Sequence, residues 1–275
     1  MATKIEVLDR VSRYPGRVIL TPVSGAANTY DMVRADSPTT VGTPINKALL
    51  DNKAYTLTDA VTVYVAKTGN DSTGDGSSSK PFLTIGKALD SLPKCLGGHN
   101  ATISIGAGTY EERATIMGFT EGTLILGVGN TVTLRGISVF SSNNVRINIP
   151  NLSYSAAYAS TLLYAGAASD VVVTSAMTLD CQKVSINGVA AEQNSAISFA
   201  GAVTVNNCWA SAAIALTGSK VHLASIGGSN NTIGLRAESG GTISYGTETI
   251  AASTKMSTVT GGRIYTGSQT SVGAY

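Results

Sequence analysis

From residue 99 onward the chain alternates apolar and polar positions in short bursts. ATISIG (101–106), TLILGVG (123–129), VTLRGI (132–137), VRINI (145–149), VVVTS (171–175), KVSING (183–188) and VTVNN (203–207) each read this way, and Gly, Asn or Ser breaks each one off. A period of two belongs to strands with one face buried. Strand follows strand with no helical pattern between, which argues against a doubly wound α/β fold.

A longer period decides how the strands are arranged. GSKVHL begins at Gly218, GGTISY at Gly240 and GGRIYT at Gly261, so the glycines lie 22 and 21 residues apart, with Val221, Ile243 and Ile264 in one register. IAL (214–216) and IGL (233–235) recur 19 apart, and the Asn pairs 206–207 and 230–231 recur 24 apart. A sandwich has no reason to repeat at this length, whereas one coil of three short strands and three turns consumes about that much chain. The pattern predicts an all-β parallel β-helix in which inward residues stack coil over coil. Asn side chains in its turns would bond the Asn of the next coil. The shaft spans residues 99–275, with room from 99 to 267 for seven or eight coils, roughly 35–40 Å.

Ahead of the shaft stands the one strongly amphipathic segment, PFLTIGKALDSLP (81–93). Phe82, Ile85, Leu89 and Leu92 share one helix face. An open first coil would expose core and unpaired backbone, so this helix is expected to lie over it as a lid. Residues 60–98 then form a cap of strand, Gly/Asp loop and helix. Residues 1–59 differ again, with 13 charged positions. GRVILTPV (16–23) and NTYDMVRA (28–35) predict a hairpin around SGAA, and TPINKALLDN (43–52) predicts a short helix starting at Thr43-Pro44. So small a segment buries little apolar surface and calls for a partner.

Charge refines the picture. Charged residues are 13% of the chain, net charge is +2, and 24 of the 36 charges fall in residues 1–121. No basic cluster points to nucleic acid, no apolar run is long enough to insert in a membrane, and the N-terminus lacks a signal peptide's apolar core. The long shaft presents small neutral side chains, as expected where subunits pack together. The three cysteines, Cys95, Cys181 and Cys208, are too few for a disulfide framework and read as buried or half-buried thiols.

VYVAKTGNDSTGDGSSSKPFLTIGKAL (63–89) followed by ATISIGAGTYEE (101–112) resembles the leading sequence of right-handed, single-stranded parallel β-helix proteins of the pectate-lyase-like superfamily. The matching positions are Pro81, Phe82, Thr84 and Ile85, then Gly108, Tyr110 and Glu112. The N-terminal segment resembles that of tail-fibre and tail-spike proteins from phages and prophages of Gram-positive bacteria, through Tyr14, Pro15, Gly16, Arg17, Tyr30, Asp31, Gly42, Thr43 and Pro44. That resemblance implies a homotrimeric virion protein attached by residues 1–59 to the tail tip or baseplate. It would be made in the bacterial cytoplasm and would face host surface polysaccharide. The fold hosts lyases, hydrolases and plain structural spikes alike.

Candidate chemistry is sparse. The D-x-T-x-D-G run at Asp71–Gly76 is half a calcium loop, but Phe82 occupies the position of the bidentate Glu, so an Asx-rich turn is expected. No metal or cofactor signature stands in the sequence. Glycoside cleavage needs two carboxylates about 5–10 Å apart. Asp170 and Glu192 are one repeat apart but sit differently relative to their strands, so neither is assigned a catalytic role. His222 alternates with Val221 and Leu223 and should point outward. Sugar contact falls to aromatic faces: Trp209, and Tyr154, Tyr158 and Tyr164 in the long insertion SYSAAYASTLLYAGAAS (153–169). The expectation is a structural and adhesive protein. The alternative is a polysaccharide-degrading spike.

Overall fold

The computed structural model describes residues 56–127, 131–153, 161–183 and 187–267, together with the backbone of four strands nearer the N-terminus. The chain divides into two compact units, Thr3–Ala54 and a body that runs from Tyr55 to Tyr275. In the smaller unit, β1 (Val11–Ser12) pairs antiparallel with β4 (Pro38–Thr40), and β2 (Val18–Pro22) with β3 (Tyr30–Arg34). The second pair is the expected hairpin, with Val18 opposite Arg34 and Pro22 opposite Tyr30. The helix expected at 43–52 lies outside the described residues.

The body is a parallel β-solenoid of about seven turns. Its first face stacks β5 (Val61–Val65), β6 (Asn100–Ile105), β8 (Thr123–Leu126), β10 (Val145–Ile147) and β13 (Asp170–Val173). It continues through the leading parts of β16 (Ala196–Asn206), β18 (Lys220–Glu238) and β19 (Thr242–Val259), and ends at β20 (Arg263–Thr266). The second face is built from β7 (Gly108–Met117), β9 (Val132–Phe140), β11 (Asn151–Ser153), β14 (Met177–Asp180) and the next parts of β16, β18 and β19. The third takes the ends of β7 and β9, then β12 (Leu163–Gly166), β15 (Asn187–Ala191), β17 (Ser211–Ala215) and the tails of β18 and β19. β18 and β19 each bend round both corners and form a whole coil.

Alternation along each strand sends one column of side chains inward, and parallel pairing keeps that column in register from coil to coil. On the first face it reads Ile103, Leu126, Ile147, Val173, Phe199 and Leu223, all 0–1% exposed. Each such side chain contributes about 1.5–3 kcal/mol through burial. Val221, Ile243 and Ile264 stack as the repeat predicts. Two expectations need correction. IAL and IGL are not equivalent, because Ile214 lies beside Arg236, 22 residues on, while Ile233 lies beside Ser211. The strand placed at 183–188 does not include Lys183, which with Gln182 takes left-handed backbone at a corner; residues 184–186 lie outside the described residues, and strand is seen from Asn187.

The turns entering the first face explain the glycine repeat. Gln193-Asn194, Thr217-Gly218, Ser239-Gly240 and Thr260-Gly261 all hold two consecutive residues at positive φ, where glycine carries no steric penalty. One residue further on, a Cβ on Gly241 would meet Ala215 O at 2.1 Å, and one on Gly262 would meet Ala237 O at 2.0 Å. Earlier coils have serine there, and these serines form a buried ladder. Ser142 Oγ accepts from Phe119 N (3.1 Å), Ser169 Oγ from Ser142 N (3.3 Å), Ser195 Oγ from Ser169 N (3.0 Å) and Ser219 Oγ from Ser195 N (3.1 Å).

The lid is present as α1 (Ile85–Asp90). Phe82, Ile85, Leu89 and Leu92 are all buried. The loop before α1 also closes the free edge of β5: Tyr64 N donates to Gly76 O (2.8 Å), Ala66 N to Phe82 O (2.9 Å) and Phe82 N to Tyr64 O (2.9 Å). Thr84 caps the helix by accepting from Lys87 N at 3.1 Å. Glu112, leaving the corner of β7, accepts from Ile85 N (2.8 Å) and Gly86 N (3.1 Å). The last described coil ends differently. Glu248 follows Ile226 in an inward column, and its carboxylate, 7% exposed, pairs with Lys255 at 3.0 Å.

Candidate functional site

The corner between the second and third faces is tied from coil to coil by side-chain hydrogen bonds. The Asn pairs seen in the sequence lie here and bond as expected. Asn207 Nδ2 donates to Asp180 Oδ1 (2.9 Å), and Asn230 Nδ2 donates to Asn207 Oδ1 (2.7 Å). Ser229 N donates to Asn206 Oδ1 (2.9 Å), and Cys208 N to Asn231 Oδ1 (3.0 Å). Asn207 and Asn230 are both at φ 60°, a conformation asparagine tolerates better than most residues. Lys183 Nζ reaches the Asn230 carbonyl across the same ridge.

The cysteines correct the expectation of three thiols. Cys181 and Cys208 lie on adjacent coils with Cα atoms 4.9 Å apart and form a disulfide. That separation is the ordinary spacing of neighbouring strands and lies within the range a disulfide spans. Cys95 remains a half-buried thiol and donates to Glu121 Oε2 at 3.1 Å.

Of the aromatic candidates, Trp209 follows Cys208 directly and is 64% exposed. Tyr164 does not project as a binding lip. Its ring lies 5.3 Å from that of Phe140, and its hydroxyl donates to Glu192 Oε2 at 3.1 Å. Burial, then the Glu192 charge and hydrogen bond, push its pKa up to about 12. Tyr154 and Tyr158 lie outside the described residues, as do Tyr14, Pro15, Gly16, Arg17, Gly42, Thr43 and Pro44. Tyr30 and Asp31 fall in β3, opposite Pro22 and Thr21.

A concavity runs along the outer side of the first face. It is a groove of about 240 Å³ lined by Ser198, Lys220, His222, Thr242, Ser244 and Tyr265, among others. Ser198, His222, Ser244 and Tyr265 form one outward column in register, and His222 Nδ1 lies 2.9 Å from Ser244 Oγ. His222 therefore faces outward, half-buried. Hydroxyls, one imidazole and one ammonium suit this groove to hydrogen-bonding a flat polar ligand. No carboxylate lines it among the described residues, whereas glycoside cleavage requires a pair.

The carboxylates lie elsewhere. Asp170 neighbours Ala196, not Glu192. Although its side chain reaches solvent, dehydration by the surrounding coils raises its pKa. Glu192 and Glu238 follow the stacked residues Ala191 and Ala237, with Ala215 between them, so their backbones are about 10 Å apart by strand spacing. Glu238 is paired with Arg236.

The Asp71 loop is a structural tie. Asn70 Oδ1 accepts from Ser72 N and Thr73 N, as in an Asx turn. Asp71 accepts from Leu83 N (2.8 Å), Thr84 N (3.1 Å) and Thr84 Oγ1 (2.7 Å). No cluster of three metal-ligating side chains occurs among the described residues.

The fold defines the class of the body, a parallel β-solenoid with a helical lid, consistent with the pectate-lyase-like fold. Comparison with known families, curated proteins and solved structures returns no match.

Proposed function

We propose that this chain is a structural and adhesive virion component, a phage tail fibre or spike that joins the tail tip or baseplate through residues 1–59 and presents its solenoid to the host surface. The observation that supports this most is the unbroken stack. One sheet runs in register from β5 to β20, and such a stack is stiff along its axis because every coil bonds both neighbours. The outer columns of the first face, with Ser198, His222 and Ser244 side by side, are polar yet sparsely charged, which suits contact with subunits or uncharged polymer.

Two experiments test this. Light scattering of the purified full chain should give the mass of a trimer; a monomer at micromolar concentration overturns the fibre assignment. Deleting residues 1–59 should leave the solenoid folded and abolish incorporation into particles, and normal incorporation refutes the attachment role.

The polysaccharide-degrading alternative draws on Glu192 and Glu238, which leave the same corner two coils apart, with backbones about 10 Å apart by strand spacing, where inverting glycosidases hold their carboxyl groups about 6.5–9.5 Å apart. Its test is release of reducing ends from host capsule or wall glycan. Activity lost in both Glu192→Gln and Glu238→Gln supports it, and no release by the native chain removes it.

A further inference from the structure

Trp209 presents a physical puzzle. Leaving an indole 64% exposed forgoes the burial that usually stabilises so large an apolar group. Yet its anchor is over-determined. Cys208, fully buried, is bonded to Cys181 on the preceding coil. Its N–H is held by Asn231, itself 3% exposed. Asn207, on the other side of Cys208, is tied to both Asp180 and Asn230. The backbone carrying Trp209 is thus fixed from the coil before and the coil after.

Fixing a contact group before its ligand arrives lowers the ordering cost of binding. The surroundings indicate what kind of ligand. An aromatic anchor for a protein partner sits within a largely apolar patch. The other exposed large hydrophobics among the described residues, Tyr64, Leu83, Met117, Met256 and Val259, belong to other parts of the rod. Among the described residues, the side chains along this ridge are Asp180, Gln182, Lys183, Asn207 and Asn230. An aromatic plane beside amides and hydrogen-bond acceptors matches a sugar ring, which offers a C–H face for stacking and hydroxyls at its rim. Resting on the adhesive role above, we propose that this corner is a stacking site for an uncharged saccharide, with Trp209 as its platform and the Cys181–Cys208 link as the element that presets it.

Trp209 is the only tryptophan in the chain, so its fluorescence reports this corner alone. The full chain is titrated with maltohexaose, cellohexaose and chitohexaose. At least one should give a saturable emission change with Kd of about 0.1–5 mM. By calorimetry, Trp209→Ala should weaken that binding at least about tenfold and Trp209→Phe less, because phenylalanine keeps a stacking plane. Cys181→Ala/Cys208→Ala should weaken it about three- to tenfold through lost preorganisation. If circular dichroism shows that double variant unfolded, reductant-treated native protein replaces it.

No emission change with any of the three sugars up to about 20 mM, or undiminished binding by Trp209→Ala, overturns the site. An emission change that depends only on protein concentration overturns it in favour of an interface between copies. Equal affinity without the disulfide overturns the presetting role. Attachment of the native rod to host cells with no sugar response at Trp209 defeats this proposal while the adhesive reading stands; loss of both defeats both.

Discussion

Glu112 is expected to hold the lid on the solenoid, and its removal gives the sharpest test of that reasoning. The first N–H groups of any helix lack intrahelical acceptors. Here those of Ile85 and Gly86 are met by the two oxygens of one carboxylate, at 2.8 and 3.1 Å. Ile85 is 0% exposed, so water cannot readily replace the lost partner. A hydrogen bond to a charged group contributes about 1.5–3 kcal/mol. The Gly86 bond, being half-buried, falls below that range once lost, so Glu112→Ala should cost about 2–4 kcal/mol in all. For a body of this size that corresponds to a fall in Tm of about 4–16 °C. Glu112→Gln keeps one acceptor oxygen and should lose about half as much. Hydrogen exchange locates the effect: amides of α1, of the 70–82 loop and of β5 should lose protection, while those of β16 to β18 should not, since coils interact chiefly with their neighbours. The freed mouth should also raise aggregation on heating. A Glu112→Ala variant that melts within about 1 °C of the native chain with unchanged exchange in α1 would refute the lid argument.

Three further outcomes follow from the same geometry. Ser195→Ala removes the acceptor for the Ser169 N–H inside a ladder that is about 1% exposed, and an unpaired buried amide should cost about 1–3 kcal/mol in denaturant unfolding. Gly241→Ala forces a Cβ against the Ala215 carbonyl at 2.1 Å, so it should destabilise by about 1–3 kcal/mol, whereas Gly106→Ala, whose Cβ would come no closer than 3.4 Å to a neighbour, should cost less. Burial tends to raise the Asp71 pKa, but hydrogen bonds from Thr84 and Leu83 and the Lys87 charge outweigh it and leave the carboxyl below its ordinary 3.8. A folded pKa below the unfolded one gives stability that is present above pH 3.8 and lost as pH falls through the folded value. Thermal melts from pH 6 to pH 2 should therefore show a native-minus-Asp71→Asn difference that shrinks at the acid end.

The fold was legible in the sequence because a solenoid repeats its own constraints. Val221, Ile243 and Ile264 could be aligned by eye, since one coil's inward residue dictates the character of the next. Phe82, Ile85, Leu89 and Leu92 stood out because their spacing has no other use in an all-strand chain. Where spacing and register diverge, the sequence misled. IAL and IGL look alike at 19 residues, yet the corner between them sets a true repeat of 22, placing Arg236 beside Ile214. The serine ladder left a trace in the sequence, Ser or Gly directly before β8, β13, β16, β18, β19 and β20, but serine is too common there for the signal to rise above background. The cysteine pair was hidden for the same reason: a separation of 27 says little until one knows that a coil with a longer corner consumes about that length.

Outward positions carry a weaker record than inward ones, and this explains the uneven result for the candidate site. An inward residue is constrained by both stacked neighbours, so a polar side chain there is conspicuous. An outward residue needs only to tolerate water, and Tyr164 shows how little its type reveals. Nothing in SYSAAYASTLLYAGAAS separates a tyrosine that projects from one that lies against Phe140 and bonds Glu192. Trp209 is different, because it is the chain's one indole and stands exposed on a corner already locked by ties between coils. Inward positions also differ in how readable they are. At the first coil, unpaired backbone and apolar columns are covered by α1 and Phe82, whose helical spacing has a period that the sequence displays. On β19 one inward column changes from Ile226 to Glu248, which pairs with Lys255, while the neighbouring column stays apolar from Ile243 to Ile264. A single acid inside an otherwise apolar stack has no period of its own, so only the register shows that it points inward.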